Sequence, residues 1–124
     1  MNTRAKGALA ETAVCEYLTR QGYRIIGRNV YVGRDEIDIV AETDTHIVFV
    51  EVKSLSSLKY GRPATAVTAI KQQHLVRAAK GYLRLHPSTK KPRIDVVEVI
   101  ISESNGSTSY QLKHIPNAIT DTKK

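Results

Sequence analysis

The sequence predicts an α/β (α+β) three-layer domain, a mixed central β-sheet with a helix on each side, and three observations carry that expectation. Two stretches, 3–21 and 64–85, repeat their apolar residues at helical spacing. Five others are rich in Val, Ile, Tyr and Phe and are bounded by turn residues. Their order along the chain is α-β-β-β-α-β-β, which one sheet covered on both faces accommodates. A chain of 124 residues holds a single core. The domain is expected to span 1–115, with the aperiodic segment 116–124 as a flexible tail.

In Thr3 to Gln21, Leu9 or Ala10, Ala13 or Val14, Tyr17 and Leu18 mark the buried side, and Gly22 supplies the stop. Gly7, Glu11, Val14 and Leu18 form a stripe at the edge of that side, so Glu11 leans towards the body of the domain. As a flank residue it would instead pair with Arg4 or Lys6 across a helical turn. Cys15, the one cysteine, has no disulfide partner and reads as a small boundary residue. Tyr23 to Val32 is a first strand, with Asn29 and Gly33 as turn residues.

Two apolar runs follow, 36–41 and 46–53, joined by Glu42-Thr43-Asp44-Thr45, and together they predict a β-hairpin. Centring the turn on Asp44 and Thr45 puts Ile37 opposite Val52, Ile39 opposite Val50 and Ala41 opposite Val48 on one apolar face. The other face pairs Asp38 with Glu51, Glu36 with Lys53 and Val40 with Phe49. Like charges directly opposite one another destabilise a sheet. A divalent cation between the oxygens relieves that repulsion, and Mg²⁺ takes one or two carboxylates, filling its other positions with water and substrate phosphate. Lys53 beside it would orient water or stabilise charge on phosphorus. The plainer reading is a cross-strand Glu36–Lys53 ion pair with Asp38 and Glu51 hydrated.

After Lys53 the segment 54–63 is polar and broken by Gly61 and Pro63, a loop in which Lys59, Tyr60 and Arg62 are either phosphate or base contacts or, equally, ordinary exposed loop residues. The second helix, 64–85, buries Val67, Ile70, His74 or Leu75, Ala78, Tyr82 and Leu85. Gln73, Arg77, Lys80 and Arg84 form a separate stripe, either a track for a phosphodiester backbone or a solvated face. Lys71, near the helix start, joins the binding candidates. Ile94 to Ile101 is nearly all apolar, as an interior strand is. Asn105-Gly106 signals a turn into a short edge strand, Tyr110 to Ile115.

A net charge of +7 and a pI near 9.7 favour polyanionic partners, and nucleic acid is the common case. No apolar run reaches the length of a membrane span. The basic start is followed by Glu11 and Glu16 rather than a signal-peptide core, so a cytoplasmic location is expected. Four scattered histidines give no zinc pattern.

Asp38 followed by Glu51-Val52-Lys53 resembles the Asp…Glu-x-Lys signature of the restriction-endonuclease-like PD-(D/E)xK nucleases. The ordered set Arg4-x-x-Gly7-x-x-x-Glu11, Gly22-Tyr23, Arg28-Asn29, Glu36-Ile37-Asp38 and Phe49-Val50-Glu51-Val52-Lys53 resembles the UPF0102 (YraN-like) family, which is similar to archaeal Holliday-junction resolvases. One position departs: Asp35 stands where that family usually has Gly. The resemblance implies a restriction-endonuclease-like fold and a Mg²⁺- or Mn²⁺-dependent endonuclease acting on DNA, branched DNA included. Asp38, Glu51 and Glu11 would be the metal set, Lys53 catalytic and Glu36 supporting. Resolving a junction takes two symmetric nicks, hence a homodimer. The rival is a nucleic-acid-binding module that keeps the fold without cutting; RNA as the substrate is a third reading.

Overall fold

The computed structural model describes residues 3–55 and 67–121. Lys59 and Arg62 therefore lie outside the described residues. The elements follow the expected order: α1 (Thr3–Arg20), β1 (Arg24–Val32), β2 (Asp35–Glu42), β3 (His46–Leu55), α2 (Ala69–Leu85), β4 (Lys91–Ser104) and β5 (Ser107–Ile119). The strands form one sheet in the order β1-β2-β3-β4-β5. Only β3 and β4 are parallel, because α2 makes the crossover between them.

Each face of the sheet has its own apolar layer. Ala10, Val14 and Leu18 of α1 pack on Ile39, Ala41, Val48, Val50, Val97 and Val99. Leu75, Ala78 and Ala79 of α2 pack on Val40, Ile47, Phe49, Ile94 and Val96. The central strands, covered on both faces, are accordingly the near-continuous Val/Ile runs of the sequence. α1 stops at Gly22, whose φ of 95° lets the Tyr23 N–H turn back to donate to the Leu18 carbonyl at 3.0 Å. α2 starts at Thr68, whose hydroxyl accepts from the Lys71 N–H at 3.1 Å. Gly81, near the C-terminal end of α2, is a contact glycine: a Cβ there would come within 2.6 Å of Val32 Cγ1 on β1.

Several expectations are corrected. Asn29 lies inside β1 with φ 49°, not at its end. Asp35 has no positive φ, so the backbone there needs no glycine; Gly33 takes that conformation instead, with φ 61°. Ile70 and Leu85 are exposed rather than buried, since the buried arc of α2 runs through Leu75, Ala78 and Ala79. The segment from Pro116 is not a tail as far as Ile119: β5 continues through it and Ile119 is buried in the α2-side layer. The extension was hidden by a bulge, where the register jumps from Val96↔Ile115 to Ile94↔Ile119. Asn105 and Gly106, with φ 52° and 78°, make the expected tight turn.

Candidate active site

The hairpin forms with the expected register from Glu42↔Ile47 to Ile39↔Val50, and there the ladder stops. Beyond Ile39 the two strands fork. The Asp38 carboxylate takes over the role of a backbone acceptor and receives the Val52 N–H at 2.8 Å. The expected Asp38–Glu51, Ile37–Val52 and Glu36–Lys53 ladder pairs thus give way to a side-chain bond across the fork. Ile37 departs from the predicted apolar face for the same reason: it packs in the α2-side layer with Val40, not with Ile39 and Ala41.

Asp38 and Glu51 nonetheless meet. Burial, then the Glu51 carboxylate, pushes the Asp38 carboxyl up to about 8, against the pull of the Val52 N–H. Glu11 adds a smaller push in the same direction. Glu51 is 4% exposed, and its Oε1 is buried with no hydrogen-bond partner among the described residues. A buried carboxylate oxygen without a donor is costly unless a cation arrives. Two carboxylates supply the oxygen donors that Mg²⁺ or Mn²⁺ takes from protein, so this corner fits such an ion. Among the described residues no group of three His, Cys, Asp or Glu side chains is drawn together as a ready metal cluster.

The other predicted residues divide. Glu11, on α1, is held by Asn29, whose Nδ2 donates to both oxygens at 3.1 and 3.2 Å, and by Arg28 Nη2 at 3.7 Å; the expected pair with Lys6 does not form among the described residues, and the Arg4 side chain lies outside them. Glu36 faces Tyr31 across the β1–β2 ladder, away from Lys53. Lys53 is half-buried and forms no ion pair among the described residues. Its strand position alternates with Ile47, Phe49 and Glu51, which puts it on the α2 face beside the acids. Lys71 reaches the pair from α2, with its Nζ 3.6 Å from Glu51 Oε2.

The basic stripe on α2 is exposed, and Gln73, Arg77, Lys80 and Arg84 line a cavity of about 540 Å³ between α2 and the end of β5 with the residues that follow it. Asp38, Glu51 and Lys53 do not line it. Two of its cations are already engaged. Arg77 forks onto Asp35 at 2.8 and 2.7 Å, and Lys80 pairs with Asp121.

Two buried acids escaped the sequence reading. Glu98 is 3% exposed, stands in register between Lys53 and Lys113, and has a buried Oε2 without a partner among the described residues. Asp95 is fully buried on the opposite face and fully satisfied. Arg93 donates to it from Nε and Nη2 at 2.8 and 2.9 Å, His114 Nε2 lies at 2.7 Å, and the Asn117 N–H, aimed by the β5 bulge, donates at 2.9 Å. Arg93 also donates to Tyr23 Oη at 2.7 Å, and Tyr17 Oη meets His114 Nδ1 at 3.0 Å. Burial raises the Asp95 carboxyl, but His114, Arg93 and the Asn117 N–H outweigh it and hold the group below its ordinary value. The signal was an acid inside an apolar run with an Arg two positions earlier.

Comparison with known proteins follows from this geometry. A UPF0102 protein of Symbiobacterium thermophilum is 48% identical over 98 residues, covering 78% of this chain and 83% of that one. One of Trichlorobacter lovleyi is 42% identical over 118 residues, covering 92% and 89%. Among solved structures, Pyrococcus furiosus SfsA in complex with Ca²⁺ is similar at 17% identity and a TM-score of 0.46, over 97% of this chain and 66% of that one. That superposition is too loose to carry fold or function across. The family model described as "Uncharacterised protein family UPF0102" matches residues 10–99, and the chain belongs to that family.

Proposed function

We propose that this chain is a Mg²⁺- or Mn²⁺-dependent phosphodiesterase of the restriction-endonuclease-like kind, acting on DNA. The observation that carries the reading is the buried Glu51 Oε1, with no donor among the described residues, beside an Asp38 whose carboxyl is pushed up to about 8. Asp38 and Glu51 would hold the cation, with Glu11 completing the acidic shell from α1. Bound there, the cation supplies activation of water and neutralisation of charge on the phosphate. Lys53, on the same face as Glu51, offers three N–H donors to a phosphate oxygen or to the attacking water. Glu36 would be a supporting residue beside them. The net charge of +7 draws the polyanion in, and Arg84, the cation of the α2 stripe with no ion pair among the described residues, gives it a contact.

Branched or junction DNA is the favoured substrate. Two symmetric nicks need two active sites, and a chain with one site meets that need as a homodimer. The test incubates pure protein with radiolabelled linear duplex, single strands and four-way junctions of DNA, and with single- and double-stranded RNA, with and without Mg²⁺ or Mn²⁺. Metal-dependent cuts, fastest in the junction, are expected. Tight binding without cuts in any metal would identify a non-catalytic binding module instead, and cleavage confined to RNA would move the substrate class.

A further inference from the structure

The cation that meets Glu51 in this structure comes from α2. The Lys71 ammonium lies 3.6 Å from Glu51 Oε2, and its side chain is 41% exposed whereas that of Glu51 is 5% exposed. At 3.6 Å the pair is electrostatic rather than hydrogen-bonded. The contrast is Arg93, fixed on Asp95 at 2.8 and 2.9 Å. A half-exposed lysine on a flexible stem is free to leave such a partner.

Its place on the helix makes the lysine unusual. Lys71 sits in the first turn of α2, three residues after the cap Thr68, and that turn has no acidic residue. The positive end of the helix dipole disfavours a cation there and favours an anion such as phosphate. Lys71 therefore gains by holding an anion at all times. In the metal-free protein that anion is Glu51.

We infer that Lys71 is an exchangeable cation: it neutralises Glu51 while the metal position is empty, and moves to a phosphate oxygen of the nucleic acid when a divalent cation takes Glu51. The inference rests on the proposed metal-dependent function. A divalent cation at Glu51 Oε1 and an ammonium at Oε2 of the same carboxylate repel each other across it, so metal loading favours release of Lys71. The protein thereby acquires a phosphate contact only when it is ready to use it.

Calorimetric Mn²⁺ titration of the full chain, wild type against Lys71→Met and Lys71→Arg, tests the exchange. Lys71→Met should bind Mn²⁺ severalfold more tightly because a competing charge is gone, and Lys71→Arg should stay within about twofold of wild type. Binding of a fluorescent synthetic DNA junction across a salt series adds the second half. In Ca²⁺, Lys71→Met should flatten the log–log slope by about 0.9, one contact, and without metal it should leave the slope unchanged. Unaltered or weaker Mn²⁺ binding in Lys71→Met, or equal loss of slope with and without metal, overturns the exchange. A wild type that binds no Mn²⁺ overturns the metal-dependent function itself, and the exchange with it.

Discussion

Two acidic positions sit side by side in the middle of the sheet and are treated oppositely. Asp95 of β4 is the register partner of Val50, the residue before Glu51, yet it points to the α1 layer while Glu51 points to the α2 layer. Asp95 receives four donors from three residues and is held below its ordinary value. Glu51 has an orphaned oxygen and a second carboxyl, Asp38, pushed up to about 8 beside it. Two buried carboxylates in one sheet, Asp95 and Glu51, thus behave oppositely: one holds the fold together and the other, with Asp38, strains it. The difference lies in donors, not in burial.

That contrast breaks first where the satisfied acid is removed. Asp95→Ala leaves the Arg93 guanidinium and the Asn117 N–H without their acceptor, and should cost about 3–5 kcal/mol in urea unfolding. A cost under about 1 kcal/mol would make the network ornamental. Asp38→Asn should act with the opposite sign. It keeps an acceptor for the Val52 N–H and removes the repulsion, raising stability in EDTA by roughly 1–4 kcal/mol at pH 9 while abolishing Mn²⁺ binding. Undiminished Mn²⁺ affinity in that variant would remove Asp38 from the metal site.

The two acids also predict opposite pH limbs. Asp38 has a folded value near 8, above its ordinary 3.8, so its stabilising contribution is complete below about 4 and is lost as pH rises through 8. Asp95 is lowered, so its contribution is present above 3.8 and is lost as pH falls through its folded value. Urea unfolding of metal-free protein should show both declines, with Asp38→Asn flattening only the alkaline one. If the alkaline decline survives in Asp38→Asn, another group causes it.

Smaller effects sharpen the same division between engaged and waiting charges. Lys53→Ala should change stability by less than about 1 kcal/mol. Cleavage should fall by orders of magnitude with DNA binding retained; parallel loss of both would make Lys53 a binding residue only. On α2, Arg84→Ala should flatten the salt dependence of DNA binding by about 0.9, while Arg77→Ala, already neutralised by Asp35, should change it less. Equal effects would show that the Asp35 fork opens when DNA binds.

The element order, the hairpin turn and the acids of the pair were legible in the sequence because period-2 and period-3.6 patterns report burial directly. What stayed hidden depends on contacts between distant residues. The fork at Asp38 was invisible because alternation assumes an unbroken ladder, and a side chain competing for the Val52 N–H interrupts it. The Asp95 network gathers Tyr17, Tyr23, Arg93, His114 and Asn117 from opposite ends of the chain. Within Ile94–Ile101 that acid and Glu98 looked like polar interruptions of a hydrophobic strand. Lys71 was singled out for its place near the helix start, but its partner Glu51 is set by how α2 lies on the sheet.

How α2 lies is fixed at its far end by the contact between Gly81 and Val32, where even one added methyl group would collide at 2.6 Å. The two positions therefore share a fixed volume, and changes at them are expected to travel together through the family's history. A relative with Ala at the position of Gly81 should carry a smaller side chain than Val at the position of Val32. A helix lifted there would tilt Lys71, ten residues and about 15 Å up its axis, away from Glu51. Covariation at a site with no chemistry of its own would then be the trace left by the need to keep a lysine within reach of an acid.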